Sequence, residues 1–259
     1  MALETSIDAV GLRRDRAGSR LPGRSWFYVA MGAVAVGIVL IGFGPGVTFS
    51  PTKRHGPPST FVWFHSLVAA MWLSLYLVQS VLVHGRNTRA HRRLGWIGAP
   101  LAIAVVAVGY VTTIAQGRRG FALWWDPDLK TDPLAELVHP LGDLVSFSVL
   151  VIAALIWRRR SDVHKRLMLL ATVGSMMAAP LTHFFSYFPA LREGPPFILL
   201  PLAALYFSSA IYDRLAHGRI HPVSLWAGLS LLAWAMFRGT VIGPSASWHQ
   251  FAGWLIGEP

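Results

Sequence analysis

The chain has no cysteine, which excludes disulfides, thiolate metal sites, iron–sulfur clusters and a haem attached covalently through a CxxCH motif. It is also short of charge. Only 14% of its 259 residues are Asp, Glu, Lys or Arg, too few to coat a soluble globule of this length. Acids are scarcer than bases, 12 against 23, and the formal charge of +11 would suit nucleic acid if the cations formed one face. Instead they sit in short clusters between apolar runs, the pattern of topology signals in a membrane protein, so no nucleic-acid partner is expected. The alternating ten-residue segments of a transmembrane β-barrel are missing too.

What the chain has in abundance is apolar surface. Hydrophobic residues make up 54% of it, gathered in stretches of about 20 that at about 1.5 Å per residue cross a hydrocarbon core of about 30 Å. Backbone groups find no water there, so each stretch must satisfy them internally as a helix. The expected fold is all-α: a polytopic membrane protein with a seven-transmembrane-helix bundle, its spans at 26–44, 60–83, 94–116, 139–157, 167–188, 197–213 and 223–242. Residues 1–25 then form a basic cytoplasmic segment, 26–242 the membrane domain and 243–259 a short outer tail. The small residues after the apolar run "VAMGAVAVGIVLIGFG" make no convincing A-x-A cleavage site and are followed by Pro45 and Pro51, so the run reads as a retained first span.

Charge alternates between the connections. Arg13, Arg14, Arg16, Arg20 and Arg24 precede the first span; Arg86, Arg89, Arg92 and Arg93 follow the second; Arg158, Arg159, Arg160, Lys165 and Arg166 follow the fourth; Arg214 and Arg219 follow the sixth. The positive-inside rule then places the amino terminus in the cytoplasm and the carboxyl terminus outside. The outer connections are rich in proline, glycine and aromatic residues, and Trp124 and Trp125 suit a loop lying on lipid headgroups.

"AHRRLGWIGAP" at Ala90 and "VHKRLMLLATV" at Val163 put a histidine, two cations and a leucine at the foot of two different spans. With His65 opening the second span and His139 the fourth, the pairs 2–3 and 4–5 read as an internal two-helix repeat, parallel and not inverted. At the headgroup level, the imidazole and cations of each element can meet lipid phosphates. "HGRIH", with His217 and His221, has H-x3-H spacing, but Gly218 and Pro222 mark it as a loop and cap.

Ionisable groups inside the bilayer are costly unless paired, so their depth matters. Counted at about 1.5 Å per residue, His65, Asp143, His183 and Arg238 all fall roughly 6 to 8 Å below the outer boundary. Helical phase places His65, Trp72 and Gln79 on one stripe; His139, Asp143 and Ser146 on another; and Ser175, Ala179 and His183 on a third. Ala171, Ser175 and Ala179 also make a small-xxx-small row for close helix approach. Two readings follow. Asp143 and Arg238 form a structural ion pair, or His65, His139, Asp143 and His183 ligate a transition metal. A retinal protein is excluded, because the last span offers Arg238 where a Schiff base needs lysine.

The stretches "FHSLVAAMWLSLYLVQSVLVHGRNTRAHRRLGWIGAPLAIAVVAVG", "SDVHKRLMLLATV" and "YDRLAHGRIHPVSLWAG" resemble a group of bacterial multi-pass inner-membrane proteins of unassigned function, most specifically in the HRRLG and HKRLM elements. More loosely, the placement of histidines on four successive helices is similar to diheme b-type cytochromes of the ascorbate-dependent transmembrane electron-carrier family. That resemblance implies b-type haem held by His65 with His139 near the outer surface and by His91 with His164 near the inner one. The function so reached is membrane electron transfer with a haem or metal cofactor. The alternatives are a non-catalytic subunit or assembly factor meeting other membrane subunits, and a small-solute or anion carrier built on Arg238. In each, the lipid bilayer is the first partner.

Overall fold

The computed structural model describes residues 26–48, 60–119, 132–186 and 198–257. Among these every regular element is helical and no strand occurs, as the all-α expectation requires. The basic amino-terminal segment and the loop with Trp124 and Trp125 lie outside the described residues. Six stretches are long and apolar enough to cross a membrane: Phe27–Gly44, Thr60–His84, Thr88–Gly117, Pro133–Ile156, Ser161–Phe185 and Pro222–Ile242. The helix over the expected sixth span, Leu199–His217, is as long as the shortest of these but carries Ser208, Ser209, Asp213 and Arg214, and it is not apolar enough to count among them.

The interior is mostly apolar, as in a soluble protein, but so is much of the outer surface. Leu40, Ile103, Val149, Leu200 and Trp226 are among the many large apolar residues on the outside. Arg166, Asp213, Arg238, Ser209 and Ser224 are buried inside. Water would punish that arrangement, whereas lipid rewards it. The interior is closed around Trp72, 1% exposed, which meets the Phe147 ring edge-on at 4.8 Å and donates its indole N–H to Thr172 Oγ1 at 3.2 Å.

Along the chain, α1 (Phe27–Thr48) packs on α2 (Thr60–His84) and on α7 (Ala178–Ser186). Helix α2 lies along α3 (Thr88–Gly117), which reaches α5 (Val138–Ile156) after the single-turn α4 (Pro133–Glu136). Helix α6 (Ser161–Leu169) folds back on α5, and α8 (Leu199–His217) pairs with α9 (Pro222–Phe237). In this last pair a Cβ on Gly228 would lie 2.8 Å from the Tyr206 carbonyl oxygen, so glycine is what lets the two backbones touch. Helix α3 is 30 residues long, about 45 Å, and overshoots the hydrocarbon by several turns. Its first turns are the HRRLG element, helical well before residue 94, with Asn87 capping them by accepting from the Ala90 N–H at 3.1 Å.

The fifth span is not one helix. Helix α6 passes into a π-helical turn over Leu170–Gly174, residues 175–177 leave helical geometry, and α7 restarts at Ala178. Pro180 supplies one cause: it has no N–H for the Met176 carbonyl, and its ring crowds that carbonyl. The interruption breaks the phase on which the Ser175, Ala179, His183 stripe rests, and Ala179 is exposed while Ser175 and His183 are buried. The last span carries a second π turn, Arg238–Ile242, closed by the Gly243 N–H on the Arg238 carbonyl at 2.8 Å.

Beyond it, the expected outer tail folds into α10 (Ala246–Ile256), capped by Ser245. Three hydrogen bonds hold it: Arg118 Nε to the Ile256 carbonyl at 2.9 Å, Trp248 Nε1 to the Leu134 carbonyl at 2.8 Å, and His249 Nε2 with Asp132 Oδ2 at 2.5 Å. The bond to Asp132 raises His249 above its ordinary 6.5, and the same bond holds Asp132 below 3.8. The histidine contribution is complete below pH 6.5 and is lost as pH rises through the raised value. The aspartate contribution is complete above pH 3.8 and is lost as pH falls through the lowered one. The clasp is therefore tightest between about pH 4 and 6.5. Hydrogen exchange of the α10 amides, corrected for intrinsic rates, should be slower at pH 5.5 than at pH 8.5, and His249→Asn should flatten that difference.

Candidate functional site

Three polar groupings sit within the helical mass. The first lies where α9 gives way to its π turn. Arg238, 3% exposed, binds Asp143 of α5 through Nη2 and Oδ1 at 2.5 Å and donates Nη1 to the His139 carbonyl at 3.0 Å. Gly142 makes room for the guanidinium, since a Cβ there would stand 2.5 Å from Nη1. The Gly142 carbonyl in turn accepts from Trp234 Nε1 at 3.1 Å. The carboxylate is thus committed to an arginine, the structural ion pair read from the sequence.

Around this pair the expected metal set does not assemble. His65, His139, Asp143 and His183 are all described, yet among the described residues no three His, Asp or Glu side chains gather closely enough to hold a metal ion. His139 lies over Gly239, while the His183 ring stacks on Phe43 of α1 at 5.2 Å. His65 is half-buried on α2, and among the described residues no ring contact joins it to His139.

The second grouping was not foreseen. Arg166 of α6 and Asp213 of α8, both buried, meet in a two-pronged pair: Nη2 to Oδ1, and Nε to Oδ2 at 3.0 Å. Ser224 of α9 donates to Asp213 Oδ2 at 2.5 Å, and the His221 backbone N–H reaches the same oxygen at 3.3 Å. Arg166 Nη1 donates to the Asp162 carbonyl at 2.7 Å. One carboxylate thereby ties α6, α8 and α9 together. Gly218, with φ +70°, ends α8, and His221 caps α9 just before Pro222, so "HGRIH" is the loop and cap that its Gly and Pro announced. The signal for Arg166 was helical phase: Val163, Arg166, Leu167 and Leu170 follow i, i+3, i+4, i+7, and all four are buried.

The third grouping joins the two repeated elements. The His91 ring of α3 and the His164 ring of α6 stand 6.4 Å apart between centroids and 81° apart in plane. His164 Nδ1 lies 2.8 Å from the Ala154 carbonyl, an acceptor only, so Nδ1 donates its hydrogen there and Nε2 stays outside that bond. Two imidazoles ligating one iron place their centroids about 6 Å apart, allowing about 2 Å per Fe–N bond. The 6.4 Å separation is close to that value.

Compared with known proteins, the chain matches no family model, no curated sequence and no solved structure. What it can do rests on the geometry above.

Two stability measurements check the ion pairs. Asp213→Ala leaves Arg166 buried without its anion and should cost about 3–5 kcal/mol, whereas Arg166→Met with Asp213→Leu should recover most of the loss. Gly142→Ala should cost about 1–3 kcal/mol by pushing the Arg238 guanidinium aside. Thermal unfolding of the detergent-solubilised protein reads both.

Proposed function

We propose that this is a seven-span bacterial inner-membrane protein, with α8 completing the bundle, that holds b-type haem between His91 and His164 near the cytoplasmic surface and carries electrons there. One observation carries the reading: two imidazoles from facing helices at 6.4 Å, one of them fixed by the Ala154 carbonyl through Nδ1. In such a site the two histidines would ligate, while the Ala154 carbonyl would orient His164. Bound haem would supply reversible one-electron exchange. The parallel two-helix repeat and the kinship with proteins bearing HRRLG and HKRLM elements belong to the same proposal. The repeat accounts for why matching histidines meet.

A second reading, a non-catalytic subunit or assembly factor, draws on the two buried ion pairs, whose charges are spent on each other. An anion carrier draws on the two π turns, because interrupted helices line substrate paths in transporters. Its cation, Arg238, is already neutralised by Asp143.

The test is optical. Protein purified from a haem-sufficient bacterial host should show a Soret band and about one haem per chain. His91→Ala and His164→Ala should each abolish the band with helicity intact, and His65→Ala should leave it. A colourless wild-type protein, repeated after haem is added to the purified chain, removes the proposal and leaves the subunit reading.

A further inference from the structure

The two HxRL elements are matched in sequence but not in surroundings. Arg93 is the counterpart of Arg166: each stands two residues after its histidine and just before the leucine. Arg166 is buried against Asp213, an acid supplied by another helix. Arg93 is exposed, and among the described residues neither it nor Arg89 one turn before it forms an ion pair. The two arginines instead line a shallow, open cleft on the surface at the foot of α3, together with Asn87, Ala90, Leu94 and Ile97, every lining residue coming from that one helix and its cap.

The chemistry of that cleft changes along the helix. Arg89, Arg93 and Ile97 follow i, i+4, i+8, and Ala90, Leu94 and Ile97 follow i, i+4, i+7, so one face of α3 runs from cationic to apolar. Asn87 stands at the polar end, and Ile97 is 53% exposed at the other. Trp96, 84% exposed beside it, is the residue type that settles at the membrane–water boundary. His91, turned toward His164, lies about 160° around the helix from both Arg89 and Arg93, so the cationic end of this face is separate from the histidine pair.

We infer that the cleft binds the phosphate headgroup of an anionic phospholipid, with Arg89 and Arg93 on the phosphate and Leu94 and Ile97 along the start of an acyl chain. The lipid supplies to the α3 element the anion that Asp213 supplies to the α6 element. A guanidinium pair favours phosphate over other anions because its donors form a planar fork matched to the phosphate oxygens.

Native mass spectrometry of the full-length protein in detergent, titrated with phosphatidylglycerol, phosphatidylcholine or inorganic phosphate, tests this. One phosphatidylglycerol should be retained more tightly than the rest, and Arg89→Gln with Arg93→Gln should weaken it about thirtyfold, at about fivefold per cation. Arg158→Gln with Arg159→Gln removes the same charge from exposed positions after α5 and should leave that site intact. Arg89→Lys with Arg93→Lys keeps the charge but loses the planar fork, and should retain only part of the affinity. Equal losses in the two glutamine doubles would reduce the effect to net charge and overturn the assignment. Equal retention of phosphatidylcholine, or displacement of the lipid by millimolar inorganic phosphate, would overturn it as well.

Discussion

A charge carried into hydrocarbon must bring its counter-charge and enough hydrogen-bond donors to replace water. Two arginines in this chain obey that condition, and much of the interior is arranged around them. Asp213 receives Arg166 twice, Ser224 and a backbone N–H, so its oxygens face donors on three sides. Removing any one partner would leave a buried acceptor or an unbalanced ion, which is why such clusters resist piecemeal change. The second pair works differently. Arg238 reaches Asp143 only because Gly142 has no side chain and because a backbone carbonyl, that of His139, takes a second guanidinium hydrogen.

These pairs join helices that also pack apolar side chains together, Phe147, Leu167, Leu205 and Leu231 among them. In lipid, packing gains no hydrophobic drive, so polar contacts and close backbone approach decide which helices are neighbours. The α6–α8–α9 junction is held by the first pair, and the α5–α9 junction by the second. Between them, Trp72, Phe147 and Thr172 fill the centre. Function, on the reading proposed here, occupies the margins: imidazoles at one end of α3 and α6, and an arginine-lined cleft on the opposite side of α3.

Much of this was readable from residue order. The lack of charge and the length of the apolar runs led to an all-helical membrane protein, and Gly218 with Pro222 located a turn to within a residue. Asp143 and Arg238 could be paired by counting depth, because the helices bearing them are regular up to those residues. Counting failed for His183, where a π turn and a proline intervene. It also failed for Arg166, which a clustering of cations at the membrane edge disguised as one more topology signal. Its partner Asp213 lies far along the chain, and only tertiary packing brings the two together.

The π turn at Leu170–Gly174 sets how the fifth span can be oriented. Each residue of an α-helix turns it by about 100°, so one surplus residue in a turn puts the segments on either side out of step by roughly that angle. The lower segment is aimed by Arg166 toward Asp213, and the upper one lies against α1, where the Pro180 carbonyl fills the space that a side chain on Gly42 would need. An unbroken rod could not serve both neighbours. The span is better regarded as two rods on a common joint, each free to be steered by its own end of the membrane.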